Sequence, residues 1–214
     1  MTAPVGDTGQ PETPAPMGPR VLARRLSLLA VLAVLAVTSV RAWWLDYDLE
    51  RALWLARASG WSAAGALLLT LTMSPIARLQ AAIGARRPPP GLWLALRRSL
   101  GITAALLGIA HAVTAAFGFL HSDWHAIIDL AYLRAGLLIL AILVPLLVTS
   151  FPALTRALGV TLWKPLHRLA YGAAALLLQH LLLSPFAPRR LVLALFLATV
   201  STALLRFLPR RLRS

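Results

Sequence analysis

The sequence predicts an all-α integral membrane protein, a bundle of six transmembrane helices with both termini in the cytoplasm. Three observations carry that expectation. The 214 residues are 59% hydrophobic and only 13% charged, where a soluble domain has roughly 45–50% apolar and 25% charged residues. Mean hydropathy is +0.75. The apolar residues gather into six runs with no Asp or Glu inside any of them, most near the ~20 residues a helix needs to cross a hydrocarbon core.

Taken in order, residues 1–20 (MTAPVGDTGQPETPAPMGPR) are rich in Pro, Gly and Thr and lack apolar periodicity, the composition of a disordered tail. A membrane domain then occupies 21–208, and a basic tail covers 209–214. The apolar runs fall at about 22–41, 59–79, 98–120, 131–150, 166–185 and 190–208. In the first run only fifteen residues separate Arg25 from Arg41, which also suits the core of a signal peptide. Interfacial Trp43 and Trp44, and arginines able to snorkel at both ends, favour a retained helix. The segment 42–58 (AWWLDYDLERALWLARA) mixes apolar helical spacings with charge and reads as an interfacial helix on the outer surface. Pro88, Pro89 and Pro90 break any helix in the 80–97 loop.

Charge sets the orientation. With the N-terminus inside, fifteen of the 21 Lys and Arg residues fall on inner segments and six on outer ones, as the positive-inside rule requires. The formal charge of +14 therefore reads as topology and contact with membrane lipid. A nucleic-acid binder would collect its basic residues on one polar face, so no nucleic-acid partner is expected. There is no cysteine, which excludes disulfides, thiolate metal sites, cysteine-ligated iron–sulfur clusters and covalently attached c-type haem.

Ionisable residues inside spans usually mark a site. Absence of membrane carboxylates weighs against a proton-coupled transporter. Histidines remain. His111 lies mid-run in the third helix, and His167 and His180 bracket the fifth. At about 1.5 Å per residue, His111 and His180 sit roughly 3 Å and 7 Å to the outer side of their helix midpoints. Two neutral imidazoles at similar depth either clasp one haem iron from opposite faces or bridge helices by hydrogen bonds. Spacing leaves both readings open. His167 lies roughly 20 Å along the axis from His180 and about 140° around it, so the two do not share a face. An inner anion, flavin or quinone site, or a second haem, is open to it. His121 and His125, either side of Trp124, read as solvated loop residues. Arg78, Arg97, Arg98 and Arg168 inside, and Arg134 outside, suit haem propionates or a flavin phosphate because guanidinium offers a planar fork of donors. They serve equally as topology signals.

The stretches GWSAAGALLLTLTMSPIARL at 60–79, RRSLGITAALLGIAH at 97–111, LLVTS at 146–150 and WKPLHRLAYGAAALLLQH at 163–180 resemble the haem-binding membrane subunit of the bacterial protein-methionine-sulfoxide reductase system, the MsrQ family of the ferric-reductase-like transmembrane superfamily. The W-x-x-LHRL-x-Y segment followed by His is its most specific piece. This resemblance implies that His111, His167 and His180 are the haem-associated histidines; all three are candidate metal residues, and His111 and His180 are the pair expected to ligate the haem iron. It further implies a b-type haem, a flavin mononucleotide, electrons drawn from quinol, and delivery to a periplasmic molybdopterin-containing reductase that repairs oxidised methionine. The residues after His111 and after His180, and the outer loop before the fourth run, depart from the family pattern and bear on the redox partner more than on the fold.

The expected protein is thus a multi-pass subunit of the bacterial inner membrane that carries electrons and has no catalytic residue of its own. Arg78, Arg98, Arg168 and the three histidines are its expected cofactor-binding residues. No G-x-G-x-x-G fingerprint or P-loop occurs in the chain, so electrons are expected to enter from a quinol or a reductase partner. Two alternatives stay open: a stand-alone ferric-reductase-like haem protein, and a cofactor-free membrane scaffold or transporter.

Overall fold

A computed structural model describes residues 18–43, 48–84 and 90–204. The disordered reading of residues 1–17, Trp44, Pro88 and Pro89, and the basic tail at 209–214 lie outside the described residues. Helix α1 spans Pro19–Trp43, so Pro19 and Arg20, expected in the tail, open a helix instead. Proline is at home in a first turn, where its missing N–H has no intrahelical partner to lose. Helix α2 spans Asp48–Ala82, with Asp48 and Glu50 in its first turn facing the positive end of the helix dipole.

Helix α3 spans Pro90–Val113 and runs on into a π-helical segment, Thr114–Phe119. A turn follows in which His121 and Ser122 take positive φ values of 49° and 63°. Asp123 then caps the short helix α4, Trp124–Asp129, accepting from the Ala126 N–H at 3.1 Å. Helix α5 is Ala131–Val148, α6 is Pro152–Leu183 and α7 is Arg189–Leu204. The described residues contain no strand.

Three helices differ from the sequence expectation. The 80–97 segment, expected as a loop, is helical from Pro90 onward, because proline is tolerated in a first turn. The separate interfacial helix at 42–58 is not seen: residues 48–58 are the opening turns of α2, which continues without interruption. Nothing before Pro75 breaks it, and the Ser59 hydroxyl donates back to the Leu55 and Ala56 carbonyls at 2.6 and 3.2 Å. The fifth run, expected from 166, is instead the end of a longer α6. That helix is two pieces joined at Gly159, whose φ of 63° and ψ of 174° are non-helical and suit a residue without Cβ.

Among the described residues, four helical stretches are long and apolar enough to cross a membrane: Arg25–Trp43, Asp48–Gln80, Gly91–Gly118 and Ala131–Val148. In α6 the polar residues His167, Arg168, Gln179 and His180 lower the mean hydropathy, and α7 has 16 described residues. Many large apolar side chains point outward, among them Leu29, Leu32 and Val37 on α1 and Leu193 and Leu197 on α7. Such a surface marks contact with lipid or protein, not water.

The interior is built from small residues. Helix α2 packs on α3, α5 on α6, and α3 on α5. The core joins Ala64, Leu67 and Leu71 of α2 to Ala104 and Ala105 of α3, Leu143 of α5, and Ala173, Ala174 and Leu177 of α6. Alanines let helix backbones approach closely where lipid removes the hydrophobic drive for association. Helix α1 is tied to α3 by Ser27, fully buried, whose hydroxyl reaches the Ser99 carbonyl and hydroxyl at 3.1 Å. Among the described residues this packing leaves a cavity at each end of the bundle.

Candidate functional site

The first cavity, about 390 Å³, opens among the N-terminal halves of α2 and α5, the C-terminal ends of α3 and α6, and the π-helical segment. His111 of α3 and His180 of α6 both line it. Their ring centres are 6.2 Å apart and their planes stand at 82°.

Each imidazole is held from behind by a backbone carbonyl. His111 Nδ1 lies 2.7 Å from the Ala56 carbonyl oxygen, and His180 Nδ1 lies 2.6 Å from that of Tyr132. A carbonyl only accepts, so each Nδ1 must carry the proton, and a neutral ring then keeps its Nε2 lone pair for another partner. No described residue hydrogen-bonds either Nε2. A glycine lies against each ring: a Cβ on Gly60 would come 2.8 Å from His111 Nδ1, and one on Gly136 would come 3.3 Å from His180 Nδ1.

The spacing has a chemical reading. A metal–imidazole bond is about 2 Å long and the ring centre lies about 1.1 Å further back, so two imidazoles on opposite sides of one first-row metal ion have centres about 6 Å apart. The observed pair meets that distance. Carbonyls that accept from the remote nitrogens are the usual means of fixing such ligands. The rest of the lining is largely apolar, including Trp61, Leu67, Leu143 and Leu177, with Arg57 as its charged member. The Arg57 guanidinium also sits 5.8 Å above the Phe186 ring. At the mouth, Phe117 of the π-helical segment meets Trp124 edge-on at 6.4 Å. π-Helical turns recur beside functional sites, and this one begins three residues after His111.

The second cavity, about 890 Å³, lies at the opposite end between α2, α3, α5 and α6. Arg97, Arg98, Lys164, Arg168 and His167 line it with Trp163 and Tyr171, and among the described residues no carboxylate does. Arg98 donates to the Ser150 carbonyl at the end of α5, and Arg97 reaches the Ser74 hydroxyl at 3.4 Å. The His167 ring stacks on Trp163 with centres 4.1 Å apart, and its Nε2 lies 3.3 Å from the Thr149 hydroxyl. Trp163 Nε1 is buried without an acceptor among the described residues. An anion with a flat body would meet both the cations and the ring stack.

The structure thus brings together two of the three singled-out histidines and leaves the third apart. No other histidine lines the cavity that holds His167. Arg98 and Arg168 join it there, whereas Arg78 lines neither cavity, and neither does Arg134. His121 and His125 are exposed in the turn and in α4. Sequence reading missed Gly60, Gly136 and the carbonyls of Ala56 and Tyr132. No local signal tells which helical glycine faces a histidine. It also counted Arg57 only as a topology charge.

A family model described as ferric reductase like transmembrane component matches residues 59–178. That span contains Gly60, His111, Gly136 and His167 and stops two residues short of His180. The chain is similar to the protein-methionine-sulfoxide reductase heme-binding subunit MsrQ of Deinococcus radiodurans, with 29% identity over 142 residues, 60% of this chain and 68% of that protein. The protein of the same name from Azospira oryzae is 31% identical over 137 residues, covering 60% of this chain and 53% of its own length. For Rhodospirillum rubrum the figures are 43% over 60 residues, 28% of this chain and 29% of the relative. The matched stretch therefore spans about two-thirds of the first relative and about half of the second.

Proposed function

The chain belongs to the ferric reductase like transmembrane component family, and on that premise we propose that it is a membrane electron-transfer subunit holding one haem b between His111 and His180. The observation that carries this reading is the pair of carbonyl-anchored imidazoles at 6.2 Å. His111 and His180 would hold the haem, and when bound it would supply a reversible one-electron couple. The chain's own residues do the rest. Ala56 and Tyr132 fix the tautomer of each ligand, the apolar lining keeps water out, and Arg57 offers a cation to a propionate.

At the other end, Arg98, Arg168, Lys164 and His167 form the entry site for electrons. Their charge suits the phosphate of a flavin mononucleotide, and the Trp163–His167 stack suits the flat ring system of a flavin or of a quinol from the pool. We assign His167 to that site and not to iron, because its Nε2 already meets the Thr149 hydroxyl and no imidazole faces it. Arg78, outside both linings, is read as a topology charge of the cytoplasmic side.

In this reading six helices span the bacterial inner membrane with both termini in the cytoplasm, which puts the basic cavity inside and the histidine pair outside. Electrons leave toward a periplasmic molybdopterin-containing reductase that repairs methionine sulfoxide. Support for that acceptor comes from the names of the similar proteins, each a heme-binding subunit of a protein-methionine-sulfoxide reductase.

The test is optical. Purified in mild detergent, the chain should give a b-type reduced-minus-oxidised spectrum, with about one haem per chain by pyridine haemochrome. A colourless protein from cells supplied with haem precursor would remove the reading.

A further inference from the structure

We infer that Gly60 and Gly136 are positioning residues that set the orientation of the two haem ligands, an inference that rests on the reading of His111 and His180 as those ligands. The same device occurs twice. On α2, Ala56 and Gly60 are four residues apart, and the His111 ring of α3 sits against both. On α5, Tyr132 and Gly136 are four residues apart, and the His180 ring of α6 sits against both.

The physical reason lies in helix geometry. Residues i and i+4 are neighbours on one face, and a side chain at i+4 stands beside the carbonyl of residue i. A backbone carbonyl has two lone pairs, only one of which the helix uses. Glycine at i+4 leaves the other open to a donor from outside and leaves room for the donor's ring. A Cβ on Gly60 would lie 2.8, 3.0 and 3.3 Å from three atoms of the His111 imidazole. The ring would have to move, and with it the 2.7 Å hydrogen bond to Ala56. A Cβ on Gly136 would lie 3.3 Å from two atoms of the His180 ring, so that ring need shift only by a fraction of an ångström. Other glycines on these elements are different: a Cβ on Gly65 of α2 or on Gly172 of α6 meets nothing within 4 Å.

The notches therefore fix the near-perpendicular arrangement of the rings, 82° between planes. Low-spin ferric haem reports this directly. Perpendicular axial imidazoles give a strongly anisotropic electron paramagnetic resonance signal with a large principal g value, and rotation toward parallel planes lowers it. Loss of the Nδ1 donation also weakens the ligand, and losing such a hydrogen bond typically costs about tenfold or more in metal affinity.

The experiment compares wild type with Gly60→Ala, Gly136→Ala, Gly65→Ala and Gly172→Ala, all purified as full chains. Haem per chain, the low-spin signal and thermal unfolding are measured for each. The expected result is reduced haem per chain in Gly60→Ala, from an affinity about tenfold weaker. Gly136→Ala should keep its haem with a shifted largest g value, and both controls should match wild type in haem and signal. If Gly60→Ala does not accumulate as folded protein, the Gly136→Ala signal decides. Wild-type haem content and an unshifted signal in both notch variants would overturn the inference while leaving the haem reading intact. A wild-type chain without any bis-imidazole low-spin signal would overturn the haem reading itself.

Discussion

Leu67 of α2 and Leu143 of α5 each line both cavities, so two buried leucines form the wall between the histidine pair and the basic pocket. The wall is apolar and belongs to the packed core that joins α2, α3, α5 and α6. On the proposed function, electrons entering at the basic end would cross only this apolar layer to reach the histidine end.

Leu143→Ala should join the two cavities and cost about 2–5 kcal/mol, the range for truncating a buried leucine. Thermal unfolding in detergent checks it. An unchanged midpoint would show that the two cavities are not separated by tight packing.

Gly159 makes the join between the two pieces of α6 at φ 63°. Gly159→Ala should destabilise by about 1–3 kcal/mol through backbone strain, and it should displace the helix that carries Trp163 and His167. Gly172→Ala on the same helix should instead be neutral or stabilising by about 0.5–1 kcal/mol. Equal unfolding midpoints for the two variants would contradict the break at Gly159.

Much of this architecture was legible in the sequence because lipid-facing helices must be apolar all along. The six runs fall on the long helices among the described residues, and the ~20 Å axial offset between His167 and His180 agrees with their lining cavities at opposite ends of the bundle. What escaped was tertiary or conformational. The start of α6 at Pro152 and its break at Gly159 lie in a stretch whose Arg156 and Lys164 mask the helix to any hydropathy reading. The continuity of α2 through residues 48–58 was hidden by charges that a helix end at an interface tolerates. The notches at Gly60 and Gly136 depend on which helix lies opposite, and composition says nothing about that.

Ser27 ties α1 to α3 through Ser99. Ser27→Ala should cost about 0.6 kcal/mol and at most about 1.7, as interhelical hydrogen bonds in membranes do. Ser27→Leu should cost several times more, since the residue is fully buried and has no room for the larger side chain. Unfolding in detergent with the pair measured side by side decides. Equal effects of the two changes would mean that α1 does not pack on α3 at this point.

Arg168 lines the basic cavity together with the Trp163–His167 stack. Arg168→Gln should weaken flavin mononucleotide binding about tenfold, the cost of one charge-assisted hydrogen bond. The difference should shrink at high salt if the residue acts from an exposed rim. Quenching of flavin fluorescence by the purified chain measures both. Equal binding by wild type and variant would place the anion site elsewhere.

The most direct measurement is haem per chain, with the optical spectrum, for His111→Ala, His180→Ala and His167→Ala beside the wild type. The account predicts that the first two lose haem or its low-spin bis-imidazole spectrum, while His167→Ala keeps both. Full haem with an unchanged spectrum in either His111→Ala or His180→Ala would contradict it, and so would loss of haem in His167→Ala alone.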